Sequence, residues 1–208
     1  MGAAHAPIWR RMIDVGVTGD LMAASVLDYG CNQGGFLRML YDRAPFKAGV
    51  GIDIARESVA RAMLLKGQRP IDYKVSDNAA SLGQSFDLAF SHEVVYLLPN
   101  LEAHAKDMAA AVRPGGAYIA AIGCHMDSAS WPRWRKVIAE SSSIPLYDHS
   151  LEDVAKAFTG AGFTVAVRPL ALDAFMPVTV GSPYFPKITD QLRYYSEDKV
   201  LFRFVKTP

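Results

Sequence analysis

Charge of one sign, cysteine and long apolar runs are all scarce in this chain. With 22 basic and 21 acidic side chains the formal net charge is +1, and the two signs are interspersed, so no electrostatic stripe marks a nucleic-acid partner. No apolar stretch approaches the roughly 18 residues that a membrane span needs. The opening Met1-Gly2-Ala3-Ala4-His5 has no basic region followed by an apolar one, so the expectation is a cytoplasmic protein with no membrane partner. Cysteine is limited to Cys31 and Cys124, too few for a disulfide framework, which implies two reduced thiols. The five histidines, at 5, 92, 104, 125 and 149, include no pair spaced to share a helix face, and no metal site is indicated. No linker-like run divides the 208 residues. Half of them are hydrophobic, enough for one sizeable core, and a single domain over 1–208 follows.

What is present concentrates in Ser25 to Phe36, Ser-Val-Leu-Asp-Tyr-Gly-Cys-Asn-Gln-Gly-Gly-Phe. An apolar strand ends at Asp28 and Gly30, a glycine-bearing turn follows, and a helix with Leu37 and Leu40 opens from Gly34 and Gly35. That is a nucleotide-binding strand, loop and helix. Asp53 stands 23 residues beyond Gly30 at the end of the next strand, Ala48 to Ile52, where a carboxylate can take both hydroxyls of a ribose. A pyrophosphate loop wants glycine at its middle position, and this chain has Asn32 there; asparagine tolerates the left-handed turn, but close backbone approach to a pyrophosphate is compromised. Asp28 would repel a phosphate and welcome a cation such as the amino group of a methionine moiety.

At this point the sequence resembles the class I S-adenosylmethionine-dependent methyltransferases, whose first motif runs Asp-x-Gly-x-Gly-x-Gly, with Asn32 a departure at the middle glycine. The resemblance implies S-adenosyl-L-methionine as cofactor and S-adenosyl-L-homocysteine as product. It also implies that Asp28, Gly30, Asn32 and Gly34 form the cofactor loop, that Asp53 holds the ribose and that Ile54 lies beside the adenine. Asp77, in Val75-Ser76-Asp77-Asn78, would reach the adenine amino group, with Asn78 beside it, and Ser91 would line the methionine half. The fourth strand reads Phe86 to Ser91, and the family's turn before the fifth strand is matched by Val112-Arg113-Pro114-Gly115-Gly116.

The rest of the chain alternates strand and helix. Asn100 is an N-cap for apolar positions Leu101, Ala105, Met108, Ala109 and Val112, which have helical spacing. Ser150 to Asp153 opens a second helix in capping-box style, and that helix stops at Gly160 and Gly162. Phe163 to Val167 reads as strand six and Val200 to Val205 as strand seven. The expected fold is therefore α/β, a Rossmann-like doubly wound sheet of seven strands with helices on both faces. By the resemblance, strand seven is antiparallel between strands five and six. Ligands collect at the carboxyl ends of the strands of such a sheet.

Residues just past those ends are the candidates for chemistry. His92 follows strand four and His125 follows strand five; either imidazole could take a proton from an attacking hydroxyl or amine, and a structural histidine capping a strand end is the alternative. Trp131, Tyr147 and Tyr184 are the substrate-binding candidates. For the tryptophans the alternative is an ordinary buried stripe of Trp131, Trp134 and Ile138. The N-terminal residues 1–24, carrying Trp9, Met12 and Ile13, would form a helical cover over the cofactor, and the proline- and aromatic-rich 169–198 a cover over the substrate. These residues point to methyl transfer to an oxygen or nitrogen of a small-molecule acceptor by a monomer or homodimer. A catalytically silent cofactor-binding or regulatory protein, or an NAD(P)-dependent oxidoreductase disfavoured by Asn32 and Asp28, stays open as an alternative.

Overall fold

The computed structural model describes residues 2–208; Met1, part of the opening segment read above, lies outside them. In chain order the elements are α1 (Gly2–Gly16), β1 (Ser25–Tyr29), α2 (Gly35–Arg43), β2 (Ala48–Asp53), α3 (Arg56–Leu65), β3 (Ile71–Val75), β4 (Phe86–His92), α4 (Leu101–Ala111), β5 (Val112–Ile122), α5 (Trp131–Ser141), α6 (Leu151–Gly160), β6 (Phe163–Pro169), α7 (Ile188–Arg193) and β7 (Val200–Lys206).

The strands form one sheet in the order β3-β2-β1-β4-β5-β7-β6. β1 to β5 pair in parallel, while β7 runs antiparallel to both β5 and β6. Successive strand residues face opposite sides of a sheet, and the core divides accordingly. Leu27, Tyr29, Phe202 and Phe204 pack on one face with Met108 of α4 and Phe158 of α6. Val26, Phe90 and Leu201 pack on the other with Met12 of α1, Leu37 and Leu40 of α2 and Ala62 of α3. Helices thus cover both faces, as the alternating pattern requires.

Local chemistry starts the helices where the sequence marks them. The Asn100 side chain accepts from Ala103 N at 2.9 Å, and Ser150 and Asp153 form a reciprocal capping box; each cap contributes about 1 kcal/mol. Two stretches depart from the sequence reading. The β5 ladder begins at Val112, before the Pro-Gly-Gly turn, with an irregularity in its pairing to β4 between Phe86 and Leu88. Between β6 and β7 the chain has no regular element until α7, which passes directly into a π-helical turn over Tyr194–Asp198. Polar residues fill much of that turn, so it carries no apolar period to betray it. Its consequence is positional, since it delivers Tyr194 and Lys199 into the interior.

Candidate active site

The glycine loop between β1 and α2 is tied down by its backbone. Gly30 N and Cys31 N both donate to Ile52 O at 2.9 Å, which binds the loop to the end of β2. Gly34 has φ 69°, and a Cβ there would lie 2.3 Å from Tyr73 Cζ, so glycine is required both by conformation and by space. Asn32 takes φ 48°. Its backbone therefore adopts the left-handed conformation that the resembled motif gives to glycine.

Asp53 is held by that same loop. Its Oδ2 accepts from Asn32 N at 2.8 Å and its Oδ1 from Ala55 N at 2.9 Å, which fixes the carboxylate at the strand end with lone pairs left over. Asp28 is 4% exposed, and its Oδ2 has no hydrogen-bond partner. Burial, reinforced by the Asp53 charge, pushes its pKa up to about 8. Such an atom calls for a cationic ligand, because an unpaired buried carboxylate is costly.

Both carboxylates line one cavity of about 760 Å³ that continues from the glycine loop to the end of β4 and the first turns of α1. At the far end stand His5 and Trp9 of α1, then His92, Glu93 and Tyr96. Trp9 Nε1–H donates to His92 Nδ1 at 3.2 Å, and the His5 and His92 rings meet edge to face with centroids 5.1 Å apart. Burial, then the charge of Lys199, lowers the pKa of both imidazoles, that of His92 well below its ordinary value. Both are neutral at pH 7.

Glu93 has φ 55°, a strained conformation for a non-glycine residue. Four donors hold it there. Lys199 Nζ and Tyr194 Oη reach Oε1, while Gly123 N and Cys124 N donate to Oε2 at 3.3 and 3.2 Å. Burial alone would raise its pKa, but Lys199, followed by His92, outweighs it and lowers the value to about 2. The pair staples the ends of β4 and β5 to the start of β7.

Comparison with known proteins now decides the family. The profile described as "Methyltransferase domain" matches residues 15–166, more than half of the chain. The chain belongs to the methyltransferase domain family.

No curated protein sequence matches this methyltransferase. Among solved structures it is similar to the complex between the Haloferax volcanii Trm112 methyltransferase activator and the putative methyltransferase, at 21% identity and TM-score 0.85, over 100% of this chain and 92% of that one. An S-adenosylmethionine dependent methyltransferase from Mesorhizobium loti shares 20% identity at TM-score 0.70, over 99% of each chain. Geranyl diphosphate C-methyltransferase from Streptomyces coelicolor A3(2) shares 14% at TM-score 0.73, over 98% of this chain and 81% of that one. At these identities the likeness is one of fold.

Of the residues singled out in the sequence, the methyltransferase fold brings Asp28, Gly30, Asn32, Asp53, Ile54, Asp77, Asn78 and His92 to the cavity. Gly34 caps α2 behind the loop. Ser91 is not in the wall: it is 1% exposed and its Oγ lies 2.6 Å from Tyr118 Oη. His125 also lies elsewhere. Its Nε2–H donates to Asp198 O at 2.8 Å, and no part of it reaches the cavity wall. Trp131 is 4% exposed, donates to Asp148 Oδ1 at 2.8 Å and sits behind Tyr96 with ring centroids 5.7 Å apart. The backbone of Tyr147 bonds that of Tyr96, and its side chain does not line the cavity. Tyr184 packs against Trp134 of α5 and accepts its indole N–H through the backbone carbonyl, so the 169–198 segment does not meet the cavity through that residue.

His92 lines the cavity, and its Nδ1 accepts the indole N–H of Trp9, a group that can only donate. The residues that sequence reasoning missed at this end are His5, Tyr96 and the Glu93–Lys199 pair. The Glu93–Lys199 pair had no local signal, since partners 106 residues apart leave no periodic mark. Among the described residues no His, Cys, Asp and Glu cluster could hold a metal ion, and no helix is long and apolar enough to cross a membrane.

Proposed function

We propose that this methyltransferase transfers a methyl group from S-adenosyl-L-methionine to an oxygen or nitrogen of a small-molecule acceptor. The observation that carries the reading is one continuous cavity with the unpartnered Asp28 Oδ2 at its cofactor end and a wall of Trp9, His92 and Tyr96 at the other. The residues present fit the cofactor. Asp53 would hold the ribose hydroxyls, Ile54 would flank the adenine, Asp77 and Asn78 would meet its amino edge, and Asp28 would receive the methionine ammonium. When bound, S-adenosyl-L-methionine supplies the sulfonium methyl and leaves as S-adenosyl-L-homocysteine. The chain contributes positioning and exclusion of water, an effect worth up to roughly 7–11 kcal/mol in well-oriented systems. Helix α1 acts as a cover in this reading, because it places His5 and Trp9 against the cavity.

Calorimetric titration tests it. S-adenosyl-L-methionine should bind and NAD should not. Binding of NAD alone, or of neither, would remove the proposal.

A second reading makes the chain the catalytic half of a two-protein enzyme, as in the Haloferax volcanii complex. It is favoured by apolar side chains left exposed on α3 and on the edge strand β3, namely Leu64 at 77%, Met63, Leu65 and Val75. Co-expression with a Trm112-type protein checks it: a stable complex supports the reading, and a fully active lone chain opposes it.

A further inference from the structure

We propose that the part of the cavity wall formed by Tyr96, Leu97, Leu98, Pro99 and Ile144 is an apolar subsite for the hydrocarbon portion of the acceptor, and that Ile144 sets how long that portion can be. The inference rests on the methyltransferase reading. It adds a substrate class, acceptors that carry an alkyl or aryl tail, and a specificity-determining residue.

The path of the chain between α5 and α6 builds this wall. Residues 142–150 have no regular structure there and run as a strap along the loop that follows β4. Tyr147 N donates to Tyr96 O at 2.8 Å, and His149 Nε2–H donates to Leu98 O at 2.8 Å. Two further bonds hold the strap from behind, Trp131 Nε1–H to Asp148 Oδ1 at 2.8 Å and Met126 N to His149 O at 2.9 Å. So anchored, the strap delivers Ile144 to the cavity. Among the described residues it is the only one beyond α4 that lines it, whereas Trp131, Tyr147 and Tyr184 all fall outside the wall.

What this wall can offer a ligand follows from which polar groups are already used. Tyr96 O and Leu98 O are taken by the strap, Leu97 N donates to Val94 O at 2.8 Å and Leu98 N to Val95 O at 3.1 Å. Pro99 has no N–H to give. The side chains of Leu97, Leu98, Pro99 and Ile144 carry no polar atom, so a water held against them finds few partners, and an apolar group placed there gains from leaving water. Ile144 is 43% exposed, which leaves much of an aliphatic side chain still to be covered.

The two ends of the cavity therefore differ in kind. Asp28 and Asp53 supply charge at the glycine-loop end, and none of the five wall residues is charged. One side of the subsite is rigid, because the Tyr96 ring is backed by buried Trp131 with centroids 5.7 Å apart. The other side is Ile144, whose N–H bonds Ser142 Oγ at 3.2 Å within the strap itself. Side-chain size at position 144 thus decides the length of the space.

The test measures how binding depends on chain length. The full chain, saturated with S-adenosyl-L-homocysteine and labelled with carbon-13 at the isoleucine δ-methyls, is titrated with 1-alkanols from ethanol to octanol, and binding is read by NMR and calorimetry. Kd should fall about fourfold per added methylene, and the Ile144 methyl should shift. Ile144→Asp should flatten the series and weaken octanol about 30-fold. Ile144→Trp fills the space and should end the gain at shorter alcohols. Leu64→Asp, on the exposed face of α3, should leave the series as in wild type. Affinity independent of chain length, a gain that survives unchanged in folded Ile144→Asp and Ile144→Trp, or an Ile144 methyl that does not move would overturn the proposal. A loss of S-adenosyl-L-homocysteine affinity above tenfold in Ile144→Asp would also overturn it, by giving this wall to the adenine. Failure of the wild-type chain to bind S-adenosyl-L-homocysteine would instead overturn the methyltransferase reading beneath it.

Discussion

Replacing Asp28 by asparagine should stabilise the empty protein while weakening its hold on the cofactor. The carboxyl is 4% exposed, has an unpartnered oxygen, and titrates at about 8 in place of 3.8. A folded-state pKa raised above its unfolded value contributes stability below the unfolded pKa and loses it as pH rises towards the folded one. Wild-type stability should therefore decline between about pH 4 and pH 8. At about 1.4 kcal/mol per pH unit the loss at pH 7 has a ceiling of roughly 4 kcal/mol. The asparagine amide gives back about 1–2 kcal/mol, because its buried N–H groups also need partners. A net gain of about 1–3 kcal/mol remains, which raises Tm by roughly 2–12 °C in a domain of this size. Thermal melts at pH 4 and pH 7 check it: the variant should be the more stable at pH 7 and show no such advantage at pH 4. Calorimetry in two buffers supplies the functional half. Wild type should release a proton on binding S-adenosyl-L-methionine at pH 7, as Asp28 ionises against the ammonium, and Asp28→Asn should bind roughly 10–100-fold more weakly without that release. An Asp28→Asn protein that is no more stable at pH 7 and binds the cofactor as tightly as wild type would refute the reasoning.

Other perturbations probe the rest of the site. Asp53→Ala should weaken cofactor binding by roughly 2–4 kcal/mol in a folded protein, since charge-assisted contacts to the ribose disappear; unchanged calorimetric affinity would remove the ribose role. Lys199→Ala leaves Glu93 buried without its cation and should cost about 3–5 kcal/mol in urea denaturation. Glu93 titrates at about 2 against an ordinary 4.5, so its contribution is present above about pH 4.5 and is lost as pH falls towards 2; acid unfolding should begin at higher pH in Lys199→Ala than in wild type. His125→Ala should lower stability by about 1–3 kcal/mol, through the lost bond to Asp198 O, while cofactor affinity stays within a few-fold; a calorimetric loss above tenfold would return His125 to the site.

The glycine-loop end of the cavity was legible in the sequence because backbone geometry dictates its residues. Gly34 must be glycine beside Tyr73, Asn32 tolerates the left-handed turn, and Asp53 must follow a strand to meet the loop. The doubly wound α/β class followed from alternation, and the antiparallel β7 between β5 and β6 from the resemblance. The far end, walled by α1 and the end of β4, was not legible. Its arrangement depends on α1 crossing to His92 and on Lys199 reaching Glu93, and such pairings are set by packing between distant segments. His92 and His125 looked equivalent as residues just past strand ends, yet the backbone turned one to the cavity and the other to the carbonyl of Asp198. The sequence read Trp9 as part of a cover and left Trp131 open between an acceptor pocket and a buried stripe. Trp9 meets the cavity, whereas Trp131 lies one layer behind it.

A crystal structure of the protein with S-adenosyl-L-homocysteine tests the central claim most directly. The account predicts the ribose hydroxyls on the Asp53 carboxylate, the amino group at Asp28, the adenine beside Ile54 and Asp77, and the sulfur turned towards His5, Trp9 and His92. Ligand bound elsewhere on the protein, or a glycine-loop cavity left empty at saturating concentration, would contradict it.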